Sequence, residues 1–273
     1  MKPFCFADGQ IIPSENATIH PMDLGLIRGY GIFDFFRTNN YKPLFLEDYL
    51  DRFTASAEKT HIPLPYSRED LRNIIAKLIE KNDLKQGGIR MVLSGGISEN
   101  HFSPAAGKLF IFCENLDFPA EEKYSQGIKL LTLEYVRPIA DIKTTNYALP
   151  VWHSYHWKRL GAEDVLYHWD GLVSESSRSN FYLVKKGVIH TPDQHILMGI
   201  TRKNILKIAG EVIIRPISLE EVWDAEEAFI SSTTKVLLPV TQIDDRKIGD
   251  GKVGPVTKGI LEKFRNYEKQ LVG

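Results

Sequence analysis

A single lysine in DIKTTNY (residues 141–147) stands between an apolar stretch, Tyr135 to Ile139, and a segment patterned as a helix. Lysine side chains are nearly always exposed and protonated. One becomes a nucleophile toward a carbonyl carbon when it is desolvated or set beside other positive charge. Lys143 is therefore either a solvated charge or the amine of a covalent site, and the rest of the chain has to decide which. LVSESSRSNFYLV (172–184) adds an anomaly, because two apolar ends flank Ser174, Glu175, Ser176, Ser177, Arg178, Ser179 and Asn180. Strands favour β-branched and aromatic residues, so this run reads as either a polar ligand site or a solvent-facing bulge. Gly199-Ile200-Thr201 opens an apolar-periodic helix, where free N–H groups and the helix dipole suit a phosphate and where a plain Thr N-cap would look the same. Ser231 to Thr234 place consecutive hydroxyls directly after an apolar strand. His153 and His156 share a helix face, but no third ligand has compatible spacing, so no metal is expected.

Composition narrows the partners. With 43% hydrophobic and 25% charged residues the chain can bury a core, and a net charge of −1 without one-sign runs offers no footprint for nucleic acid or an anionic membrane. Cys5 and Cys113 are far apart and signal neither a disulfide framework nor a zinc site. The apolar run at the N-terminus is too short for a signal peptide, and no later segment approaches the roughly 20 apolar residues of a spanning helix. A cytoplasmic protein acting on small molecules is expected.

The elements that must position these groups alternate. PFCF and QII read as a hairpin about Asp8-Gly9, and the aromatic half of DLGLIRGYGIFDFFRTNNYKPLFL as strands about Asn39-Asn40. Leu46, Leu50, Phe53 and Ala57 mark one helix. Leu71, Ile74, Ile75 and Leu78 mark another, opened by a Ser67-x-x-Asp70 box. GIRMVLSGG and KLFIFCE are further strands. Residues 115–127 suit a linker, which puts a domain boundary near residue 120. Beyond it come a strand at 128–136, a helix over 146–160, hairpins about Asp170-Gly171 and Lys186-Gly187, and a helix from about Thr201 stopped by Gly210. SLEEVWDA reads as a helix, EAFISS as a strand, and a last helix starts near Pro255. Antiparallel strands with segregated helices predict an α+β fold, with a smaller domain over 1–119 and a larger one over 120–273.

In this order and spacing, RGYGIFDFFRT, DRFTASA, IKTTNY, VSESSRSNFYLV, GITR, FISSTTKVLLPV and IGDGKVGPVTKGIL resemble the class IV (fold type IV) pyridoxal-phosphate aminotransferases. That family includes branched-chain aminotransferases, D-amino acid transaminases and aminodeoxychorismate lyases. The resemblance implies pyridoxal 5'-phosphate as cofactor, bound mainly by the larger domain, and a homodimer. It places Lys143 at the Schiff-base position and Glu175 as the carboxylate facing the pyridine nitrogen. Arg52, Ile200, Thr201 and Thr233 fall among the phosphate ligands, Tyr147 near the phenolic oxygen and Leu197 on the ring face. Tyr49 stands where many relatives have histidine, for which only a packing change is expected. Tyr30 and Asp34 occupy the acidic positions of GDGVFE-like motifs.

Departures from the family pattern bear on the substrate. Arg28 falls where branched-chain enzymes place an aromatic wall residue, and Phe35 where they have a small glycine. A buried arginine facing a leucine side chain would cost several kcal/mol. The R-x-H carboxylate trap of D-amino acid transaminases reads Glu99 and His101 here. Arg28 and Arg90 are candidates to replace it, and Arg178 is a third. Arg90 lies on an apolar strand, where a charge is costly without a purpose and where branched-chain enzymes also have an arginine. With Phe33 and Thr234 the three arginines make up the substrate-side set. Several arginines favour carboxylate-bearing substrates, so a D-amino acid transaminase using 2-oxoglutarate is expected; an aminodeoxychorismate lyase releasing pyruvate, or a branched-chain L-amino acid aminotransferase, are the alternatives.

Overall fold

The computed structural model describes residues 1–272, which divide into two compact units, each with its own sheet. The first comprises Met1–Asp117 with Ile142–Tyr147 and Val272. Its strands are β1 (Phe4–Ala7), β2 (Gln10–Pro13), β3 (Gly31–Asn39), β4 (Lys42–Pro43), β5 (Gln86–Ser94) and β6 (Leu109–Glu114), and its helices are α1 (Leu24–Ile27), α2 (Leu46–Lys59) and α3 (Arg68–Lys81). The sheet is antiparallel in the order β2-β1-β6-β5-β3-β4. Alternation sets its faces: β6 buries Leu109, Ile111 and Cys113 and leaves Phe110, Phe112 and Glu114 half-exposed. α2 packs on β3 through Leu50 and Phe53, and α3 packs on β1 and β6 through Leu71, Ile75 and Leu78. The Ser67–Asp70 box is a reciprocal cap of α3.

Across α2 and α3 an exposed ion network joins Arg68 to Glu47 and Asp51, and Arg72 to Glu47 and Glu69. The hydrogen bond from Arg72 is the main cause that brings the Glu47 carboxyl down to about 2. A depressed folded-state value means the stabilisation is complete above the ordinary carboxylate range and is lost as pH falls through about 2. Glu47→Gln should lower the urea midpoint slightly at pH 7, with the two midpoints converging as the pH approaches 2. An undiminished gap at pH 2 would refute this. The effect should be small, because the network is solvent-screened.

The second unit comprises Phe118–Asp141 and Ala148–Leu271, with Gly273 beyond the described residues. In chain order it runs α4 (Glu121–Gln126), β7 (Ile128–Glu134), α5 (Ala148–Arg159), β8 (Asp164–Trp169), β9 (Leu172–Ser176), β10 (Ser179–Lys185), β11 (Val188–Thr191), α6 (Ile200–Ile208), β12 (Val212–Ile214), α7 (Leu219–Trp223), β13 (Glu227–Ser232), β14 (Val236–Ile243), β15 (Arg246–Lys247) and α8 (Pro255–Val272). The strand order is β12-β11-β10-β13-β14-β7-β8-β9, with β15 on β14. The start of β10 also pairs with β9, so the strands from β10 through β9 close into a ring and lose their free edges. β7 runs parallel to both β8 and β14, and β11 runs parallel to β12, so the sheet is mixed. The mixture of sheets and segregated helices is α+β.

Local readings differ at a few places. The polar stretch read as linker contains α4. β14 carries Pro239, which pairs Phe229 at a point where β7 has not begun to pair, so the missing N–H disrupts no ladder there.

Candidate active site

In the first unit, the segment Ile142–Tyr147 lies along β3 like an added strand. Phe33 N–H donates to the Lys143 carbonyl at 2.9 Å, Thr145 N–H donates to the Gly31 carbonyl at 2.9 Å, and Ile32 bridges Thr144. With its backbone fixed, the half-buried Lys143 extends over Phe33, Nζ 4.5 Å from the ring centroid. Tyr147 meets the same ring edge-on at 5.6 Å. Among the described residues no carboxylate lies within ion-pair reach of Nζ, so the amine has no competing partner.

Arg52, on the inner face of α2, is clamped by Asp34 of β3: Nε to Oδ2 at 2.9 Å and Nη2 to Oδ1 at 2.6 Å. Burial works against the guanidinium charge, and Asp34 more than offsets it, so Arg52 is held more firmly cationic than in water. The Tyr49 ring lies 5.4 Å from the same guanidinium, so the tyrosine at the histidine position packs against Arg52.

Arg90 is not the uncompensated charge its strand suggested. Nη2 pairs with Glu114 Oε1 at 2.7 Å, and its guanidinium lies 4.8 Å from the Phe35 ring and 5.6 Å from Phe33. Arg90 therefore needs no ligand to offset its burial, because β6 supplies the counter-charge two residues along from Phe112, its paired neighbour. Phe35 packs onto Gly88, where a Cβ would lie 2.4 Å from its ring. Arg28 is exposed at the end of α1, and its guanidinium donates to the Ile27 carbonyl.

In the second unit, Glu175 on β9 is 4% exposed and accepts on both oxygens. Oε1 takes Arg137 Nε at 2.8 Å, and Oε2 takes Leu197 N–H at 2.9 Å and Asn180 Nδ2 at 3.4 Å. Asn180 Nδ2 also donates to the Leu197 carbonyl at 2.8 Å, locking the loop ahead of α6. Gly199 is the N-cap of α6, no side chain caps the helix, and Ile200 and Thr201 form its buried first turn. Thr233 and Thr234 sit in the turn between β13 and β14, and Arg178 is exposed at the tip of the β9–β10 hairpin. Arg137 and the linking role of Asn180 escaped the sequence reading. A strand carboxylate predicted to be buried needs a cation, and Arg137, six residues before Lys143, was a signal of that kind.

Residues 31–243 match the family described as Amino-transferase class IV. The chain is 30% identical over 273 residues to the D-alanine aminotransferase of Staphylococcus epidermidis, covering 96% of each. It is also 30% identical over 274 residues to the putative branched-chain-amino-acid aminotransferase of Methanocaldococcus jannaschii, covering 96% of this chain and 95% of that one. The solved branched-chain amino acid aminotransferase of Escherichia coli shares the fold, with a TM-score of 0.90 at 26% identity over 97% of this chain and 94% of that one. The chain belongs to the class IV aminotransferases, which depend on pyridoxal 5'-phosphate.

The donor chemistry fits that cofactor. Taken by itself, the first unit offers an amine free of ion pairs among the described residues and an oriented arginine; taken by itself, the second offers a buried carboxylate, an uncapped helix N-terminus and a hydroxyl turn. Gly199 gives the fit a local test. A Cβ there would lie 2.1 Å from Asn180 Oδ1, an amide already committed to Leu197 and Glu175. Gly199→Ala should raise the pyridoxal phosphate dissociation constant of the apoenzyme about tenfold or more, the scale of losing charged hydrogen bonds. An unchanged constant would place the phosphate elsewhere.

Proposed function

We propose that this enzyme transfers the amino group of D-amino acids to 2-oxo acids such as 2-oxoglutarate, as a cytoplasmic homodimer. The observation that supports the substrate class best is the Phe35 ring seated on Gly88, which puts bulk where the resemblance calls for a small glycine in branched-chain enzymes. The names of the D-alanine aminotransferase relatives point the same way.

Bound pyridoxal phosphate supplies an aldehyde and an electron-withdrawing ring. Lys143 would supply the amine and move the proton at the substrate Cα. Glu175 would hold a proton on the pyridine nitrogen, with Arg137 keeping Glu175 in place. Arg52, Ile200, Thr201 and Thr233 would bind the phosphate, with Arg52 aimed by Asp34. Tyr147 and Leu197 would complete the set that holds the ring. Phe33, Arg28, Arg90, Arg178 and Thr234 face the substrate.

The deciding experiment sets D-alanine, D-glutamate, L-glutamate and L-leucine in parallel against 2-oxoglutarate and pyruvate, following the cofactor spectrum and product. A D-amino acid is expected as best donor. L-leucine as best donor overturns the reading, and pyruvate released from aminodeoxychorismate without an acceptor makes the protein a lyase. Sedimentation checks the dimer, which a fully active monomer would contradict. Arg178, exposed and without a protein partner among the described residues, is assigned the distal carboxylate. Arg178→Ala should raise KM for D-glutamate and 2-oxoglutarate about tenfold or more and leave D-alanine nearly unaffected. Equal effects on both donors would remove that role.

A further inference from the structure

The second unit buries an ion pair that the chemistry above does not use. Lys235 is 5% exposed, and its Nζ donates to Asp164 Oδ2 at 2.8 Å and to Ser179 Oγ at 3.1 Å. Asp164, fully buried at the start of β8, accepts Ser177 Oγ at 2.5 Å and Val165 N–H at 2.9 Å on its other oxygen. Burial pushes the Asp164 carboxyl up, and the charge and hydrogen bond of Lys235 more than reverse it. The pair thus grips Ser177 and Ser179, the two buried residues on either side of Arg178 in the β9–β10 hairpin.

The backbone of Lys235 is pinned as well. Its N–H donates to Ser232 Oγ at 3.3 Å, and its carbonyl accepts Tyr124 Oη at 2.9 Å. Ser232 pairs Val236, so Thr233, Thr234 and Lys235 form a three-residue hairpin loop. The loop enters β14 through a left-handed residue, Val236, with φ of 57°. A β-branched residue in that region is strained and persists only where its surroundings over-determine it. The four contacts on Lys235, two from the main chain and two from the ammonium, are those surroundings.

A buried ion pair is weak evidence for stability, since hydrophobic residues of similar volume often serve as well or better. What a hydrophobic pair cannot do is direct hydroxyl groups. We propose that Lys235 and Asp164 are positioning residues whose buried pair fixes two turns at once, the Thr233–Thr234 loop and the Ser177–Ser179 tip, in the arrangement that binds anions. The proposal rests on the reading above in which Thr233 takes the cofactor phosphate and Arg178 a substrate carboxylate.

The test uses the full-length protein and reads binding apart from turnover. The double variant Asp164→Leu, Lys235→Met removes both charges together and leaves none buried alone. Its apoprotein should melt within a few degrees of the parent. Its pyridoxal phosphate dissociation constant, from absorbance titration, and its KM for 2-oxoglutarate should each rise about tenfold or more. Ser177→Ala with Ser179→Ala covers the case in which the first variant does not fold, because it keeps the ion pair and cuts only its grip on the Arg178 turn. It should raise KM for 2-oxoglutarate similarly while the pyridoxal phosphate constant moves less. Parental binding and KM in a folded double variant, or parental KM in the serine variant, overturns the positioning role. Thr233→Val and Arg178→Ala in the parent separate the two levels. If these change affinity and KM while the clamp variants do not, the clamp inference alone fails. If they change nothing, the assignment of the turns fails and the inference falls with it.

Discussion

Lys143→Ala is expected to lower turnover by at least about 10⁴-fold, the scale on which enzymes lose activity when their nucleophile is removed. Borohydride treatment, which fixes the cofactor to the parent chain, should leave none attached to the variant. The fold should survive, because what ties this segment to β3 is main chain and the Thr145 hydroxyl: the Phe33 N–H on the Lys143 carbonyl, the Ile32–Thr144 bridge and Thr145 Oγ1 on the Gly29 carbonyl. The side chain itself contributes one contact, with the Phe33 ring. Parent-like turnover in a variant with parent-like melting would remove Lys143 from the chemistry. A collapse in melting temperature would show instead that the ring contact carries more of the structure than its single interaction suggests.

The second large effect belongs to Glu175, where activity and stability fall together. Glu175→Ala leaves the Arg137 guanidinium buried without that carboxylate, and breaking a buried pair on one side costs about 3–5 kcal/mol. Glu175→Gln looks conservative but is not. Both carboxylate oxygens accept hydrogen bonds, one from Arg137 and the other from Leu197 N–H and Asn180, so either orientation of a glutamine sets its NH₂ against a donor. A loss of about 1–3 kcal/mol is expected from that conflict. If Glu175 holds the proton on the pyridine nitrogen as proposed, losing its charge should lower kcat about 10²–10⁴-fold, as for removal of a proton-transfer group. The two consequences are read separately, by melting of the apoprotein and by single-turnover rates with D-alanine. A glutamine variant with parental kcat would show that Glu175 serves structure alone.

What could be read from the sequence lies mostly within short spans of chain. The Ser67–Asp70 cap, the Asp8-Gly9 hairpin and the glycine stop after α6 each depend on residues a few positions apart, so their types and spacing specify them. The strand that precedes Lys143 and the Asp170-Gly171 turn that precedes Glu175 were legible for the same reason. Partners were not. Arg137 meets Glu175 across 38 positions and Asp164 meets Lys235 across 71, and nothing in either neighbourhood names the other. Arg90 shows how this misleads. Alone on an apolar strand it looked like a charge in search of a ligand, and the adjacent strand had already provided Glu114.

By itself, the sequence determined the α+β composition and the order of the motifs, which are statements of residue type and local periodicity written along one chain. The roles proposed for Lys143, Glu175, Arg52 and the hydroxyl turns came from the resemblance of those motifs to a family, since residue type alone left Lys143 a solvated charge. Tertiary structure alone decided that Ile142–Tyr147 joins the sheet of the first unit through β3, that Asp34 aims Arg52, and that one buried ion pair grips the turns holding Arg178 and Thr233. The physical reason is that buried charge must be matched. The match is made by whichever carboxylate or guanidinium the folded sheets bring within about 3 Å, a distance that no spacing along the chain encodes.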